Sequence, residues 1–112
     1  FYKNNFWLGH DEPTYKINDQ KLLLNNKLWI HAKNIQAINK LLEIKAKKYF
    51  WHQNDDVTLT SNKLLWTYPG KELTKNSICV MPELSEYNTL KKIKNCYGIC
   101  SDFIENYKKK LT

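Results

Sequence analysis

The sequence predicts an α/β fold: a single small domain over residues 1–112, with a parallel βαβ unit followed by a β-hairpin and a C-terminal helix. Three observations predict it. Apolar residues after Asn34 recur at helical spacing between two short apolar runs. Two alternating segments, Val57 to Thr60 and Leu64 to Tyr68, flank a short polar turn. Near the end of the chain, acid precedes a helical stripe and lysines close it, as a helix dipole favours.

The elements follow in order. Residues 4–9, centred on Phe6, Trp7 and Leu8, read as a strand that His10, Asp11, Glu12 and Pro13 interrupt. Residues 14–26 are polar except for Leu22, Leu23 and Leu24, and residues 27–32 give a second strand. Asn34 is a good N-cap for a helix to about Lys45 that aligns Ile35, Ile38, Leu41, Leu42 and Ile44. Tyr49, Phe50 and Trp51 make the third strand, parallel to the second through a right-handed crossover. Ser61 and Asn62 turn the hairpin, and Pro69-Gly70 turns the chain again. Ser77 to Met81 reads as a buried strand ended by Pro82, and Leu90 to Lys94 as a short helix. Gly98 breaks the chain, after which Ser101 or Asp102 caps a helix with Phe103, Ile104 and Tyr107 inward.

Hydrophobic residues make up 42% of the 112, enough to form a core and too many for a disordered chain. No apolar run is long enough for a membrane helix. Three cysteines, an odd number, do not form a disulfide framework, which points to an intracellular, reducing compartment such as cytoplasm or an organelle matrix. The chain opens at Phe1 rather than Met, which fits a processed form or a piece of a larger assembly component. The sequence specifies no oligomeric state.

Histidines and acids gather after the apolar runs. His10, Asp11 and Glu12 follow the first strand, His31 ends the second, and His52, Asp55 and Asp56 follow the third. If the three strands are parallel, these residues share one edge of the sheet, where open α/β sheets bind ligands. Close carboxylates repel, so such a pocket would take up a proton or a cation; Mg or Mn held by Asp11, Asp55 and Asp56 is the cofactor this pattern allows. Zinc is disfavoured, because Cys96 and Cys100 supply only two ligands. No phosphate-binding glycine loop is present.

The net charge is +7, and all 18 basic residues are lysine. Such a balance suits a polyanion, with Lys91, Lys92, Lys94, Lys108, Lys109 and Lys110 as the nucleic-acid-binding candidates. The missing arginine removes the bidentate fork that reads guanine, which disfavours sequence-specific DNA recognition and leaves a diffuse attraction to phosphates.

The phrases Leu8-Gly9-His10-Asp11-Glu12-Pro13 and Trp51-His52-Gln53-Asn54-Asp55-Asp56, on either side of a βαβ unit, carry a family resemblance. The first half of the chain resembles small receiver-like α/β domains of bacteria and phages, which have acidic phrases after the first and third strands. Here the first phrase has one acid fewer and no arginine, and the second keeps its histidine but moves its acids. The resemblance implies a regulatory domain. The leading reading is thus a small intracellular binding or regulatory domain with an acidic, His-containing pocket at the strand ends. The alternatives are a basic module associated with RNA or a ribonucleoprotein, and a metal-dependent phosphoester hydrolase using the same acids.

Overall fold

A computed structural model describes all residues from Phe1 to Thr112. Helices and sheets are mixed throughout, and the chain gathers into two compact units. The first comprises Phe1–Gln53 and Thr60–Asn62; the second comprises Asn54–Leu59 and Lys63–Thr112. No helix is long and apolar enough to cross a membrane.

In the first unit, β1 (Trp7–Leu8) pairs with β2 (Tyr15–Lys16) antiparallel, and a 3-10 turn follows at Gln20–Leu24. Strand β3 (Ile30–His31) pairs in parallel with β4 (Tyr49–Phe50), joined by helix α1 (Ile35–Glu43). The helix starts where the Asn34 side chain accepts a hydrogen bond from the Ala37 amide at 2.8 Å. It ends where Lys45 turns left-handed at φ 57°. There the Lys45 amide donates to the Leu42 carbonyl and the Ala46 amide to the Leu41 carbonyl, the paired bonds of a Schellman cap.

Alternation along β3 and β4 sorts the side chains. Ile30, Ala32, Tyr49 and Trp51 join Phe6, Ile17, Leu23, Ala37 and Leu41 in the core of this unit. His31, Phe50 and His52 occupy the opposite face. Ile35 and Leu42 lie off the buried stripe of α1 and are exposed, unlike Ala37 and Leu41.

The first strand departs from expectation. It pairs antiparallel with β2 in a two-stranded sheet of its own and does not join β3 and β4. The physical reason lies in the turn: Thr14 and Ile17 donate backbone hydrogen bonds to Leu8 and Phe6, folding residues 9–13 back on themselves. His10, Asp11 and Glu12 therefore occupy a hairpin loop and not the carboxyl end of a parallel strand.

The second unit is a four-stranded sheet in the order β5 (Val57–Leu59), β6 (Leu65–Thr67), β7 (Ser77–Val80), β8 (Gly98–Cys100). The β5–β6 pair is antiparallel, and β6–β7 and β7–β8 are parallel. All four residues of β7 are buried. Helix α2 (Leu90–Lys94) links β7 to β8, capped by Thr89, and buries Ile93. Gly98 does not break the chain; it opens β8, where a Cβ would stand 3.1 Å from the Ile78 side chain. Helix α3 (Ile104–Leu111) packs against α2 without burying any side chain fully. Phe103, expected inward, is exposed.

Candidate functional site

The hairpin loop of the first unit is built around Gly9. A Cβ there would lie 1.8 Å from the Glu12 carbonyl oxygen, so only glycine permits this turn. The turn presents His10, Asp11 and Glu12 to solvent. His10 Nδ1 and Asp11 Oδ2 are 2.8 Å apart. That hydrogen bond, with the charge of the imidazole behind it, holds the Asp11 carboxyl below its usual range.

Beside this loop lies a cleft of about 300 Å³. Tyr2 and Trp7 give it aromatic surface, Pro13 an apolar edge, and Asp11, Glu12 and Lys33 its charged groups. The Asn34 amide also lines the cleft but is committed to capping α1. A smaller cavity of about 100 Å³ shares Trp7 and Lys33 with the cleft and reaches His31, Ile30 and Ala32.

Two of the three histidines meet directly. Parallel register places His31 opposite Phe50, and His52 lies one pleat beyond Phe50. The His31 ring stacks on Phe50 at 4.7 Å between centroids and on His52 at 4.5 Å. Burial first, then the charges of Lys33, His52 and His10, lower the His31 imidazole to a pKa of about 4. His31 is therefore neutral at physiological pH, and Phe50 and His52, themselves 6.0 Å apart between centroids, both stack against it.

Asp55 and Asp56 belong to the second unit and have their own partners there. Asp56 lies 3.3 Å from Lys71 Nζ, and its carbonyl accepts from the Tyr68 amide. Burial and the charge of Asp55 raise the Tyr68 phenol. No group of three or more His, Cys, Asp or Glu side chains is gathered to hold a metal ion, so the set Asp11, Asp55 and Asp56 gains no support from the geometry. Burial raises all three thiols, Cys79 to about 12, which disfavours a thiolate nucleophile at Cys100.

The candidate lysines fall on two touching helices of the second unit: Lys91, Lys92 and Lys94 on α2, and Lys108, Lys109 and Lys110 on α3. All six are exposed. Lys108 pairs with Glu105 at 2.7 Å, and the Lys92 ammonium stands 3.3 Å from the centre of the Tyr87 ring. Sequence reasoning missed the groove between these helices and β8, because β8 itself was not recognised. It also missed the knot at the ends of β7 and β8, where the Glu83 carboxylate accepts from Ser101 Oγ and the Tyr107 hydroxyl.

Comparison with protein-family models, with curated proteins and with solved structures finds no match to this chain.

Proposed function

We propose that the protein is a ligand-binding α/β protein whose cleft in the first unit takes a small organic cation with a planar body. One observation carries the reading: a cleft of about 300 Å³ combines the aromatic surface of Tyr2 and Trp7 with the carboxylates of Asp11 and Glu12. Pockets of this size, mostly apolar with a few charged groups at the edge, are the usual form of a small-molecule site. The carboxylates of Asp11 and Glu12 offer a positive group its partners on the rim, while the aromatic wall favours a flat or cationic body. Lys33 sets the limit on the other side, since it repels a ligand whose charge is spread along its length.

The test is a titration of isotopically labelled protein with phenethylammonium, and with benzoate as the anionic control, followed by NMR. The ammonium compound should shift the Trp7 indole signal and the amides of Asp11, Glu12 and Lys33. The double variant Asp11→Asn, Glu12→Gln should weaken binding about tenfold, as expected when a charged partner is removed. Equal binding of benzoate, or shifts that avoid these residues, would sink the reading.

A further inference from the structure

Helix α3 is amphipathic, yet its apolar stripe of Ile104, Tyr107 and Leu111 is only half-covered. Together with Ile93 and Ile99, these side chains line a groove of about 330 Å³ on the second unit. Lys94 from α2 and Lys108 from α3 also line it. The two helices carry six lysines against one acid, Glu105, which is already paired with Lys108. The Glu83 carboxylate nearby is engaged by the Ser101 and Tyr107 hydroxyls. An apolar floor under a basic rim describes its complement by charge and by surface.

We infer that this groove docks an acidic amphipathic helix from a partner protein. Its leucine- or phenylalanine-type side chains would enter between α2 and α3, and its carboxylates would meet Lys94, Lys108 and the lysines beyond them. Grooves of this kind take helices through apolar anchors at i, i+3, i+4 and i+7. The rim charges set partner choice and encounter rate, and the buried anchors supply most of the affinity. RNA fits less well. Its bases stack on flat faces, and this floor is mainly aliphatic; its phosphates are matched best by arginine, which the chain lacks.

The experiment uses the full chain and fluorescence polarisation with a labelled synthetic helix that has leucine along one stripe and glutamate elsewhere. A second peptide of identical composition has its leucines dispersed around the helix. Oligouridine and decanoate serve as the nucleic-acid and fatty-acid probes. The striped peptide should bind, and the dispersed one should bind at least about tenfold more weakly. The charge-reversal pair Lys94→Glu, Lys108→Glu should cost about tenfold in affinity, and so should Leu111→Ser. The lysines are exposed, so the charge-reversal protein keeps its fold, which its thermal melt checks. Equal binding of the two peptides, no binding of the striped one, tighter binding of oligouridine or decanoate, or indifference to the lysine changes would each overturn the assignment.

Discussion

The imidazole rings of His31 and His52 stack 4.5 Å apart with their planes 28° from parallel. The stack follows from register: β3 and β4 run parallel, and the two residues fall on the same face of the pair. Phe50 completes the set, buried and stacked on His31. Two imidazoles held this closely cannot both carry a proton without repulsion.

Acid should therefore weaken the fold through His31. Its imidazole has a pKa of about 4 in the native state, against the ordinary value of 6.5 once unfolded. Between these values the unfolded chain binds a proton that the native chain refuses, so stability is full above pH 6.5 and declines as pH falls towards 4. The ring is only half-buried, so solvent screening reduces the loss to about 1–2 kcal/mol. Urea unfolding of wild type and His31→Phe at pH 7 and pH 5 measures it. The variant should lose distinctly less stability than wild type over that range.

The turn at Gly9 should not tolerate a side chain. In Gly9→Ala the methyl group would stand 1.8 Å from the Glu12 carbonyl oxygen, so the backbone must open. We expect a loss of about 2 kcal/mol or more. Faster hydrogen exchange at the Thr14 amide, which bonds to the Leu8 carbonyl, should accompany it. Binding of phenethylammonium should weaken with the displaced Asp11 and Glu12. A melting temperature equal to wild type would show that the loop relaxes freely.

Leu41 and Leu42 separate the two sides of α1. Leu41 is 1% exposed and Leu42 54% exposed. Leu41→Ala should cost about 2–5 kcal/mol through lost burial and the cavity left behind. Leu42→Ala should change stability by less than about 0.5 kcal/mol. Chemical denaturation of both variants decides whether the buried stripe is assigned correctly.

Lys45 closes α1 in a conformation that suits glycine. At φ 57° its Cβ is strained, while the Schellman bonds around it need only the backbone. Lys45→Gly should raise stability by about 0.5–1 kcal/mol, the relief of strain exceeding the added flexibility of the unfolded chain. A lower melting temperature for this variant would contradict the cap.

Helix α1 was legible because three local signals agree: the Asn34 cap, the spacing of Ile35, Ile38, Leu41, Leu42 and Ile44, and short apolar runs on either side, although Ile35 and Leu42 proved to lie outside the buried stripe. The His31–His52 stack was legible in outline, since parallel strands carry their C-terminal residues to one edge. The partner of β1 was not. Tyr15 and Lys16 form a two-residue strand, too short for any periodicity to register. Without that pairing, His10 and Asp11 read as the end of a parallel strand and not as a hairpin turn. Strand β8 was obscured by Gly98, a residue usually read as a break, which here permits close approach to Ile78. Asp55 and Asp56 were grouped with the histidines because they are near in sequence; their partners, Tyr68 and Lys71, lie beyond the hairpin.

The burial of β7 turns Cys79 into an internal clock for the second unit. Its thiol is 1% exposed and lies in the middle of a sheet with neighbours on both edges. A thiol reagent reaches it only when the sheet itself comes apart. Cys96 and Cys100 are half-buried and should be modified first, through small local openings. Mass spectrometry of a timed labelling reaction would therefore read two distinct rates from one unmutated chain, and the slower one would report how often the whole sheet opens.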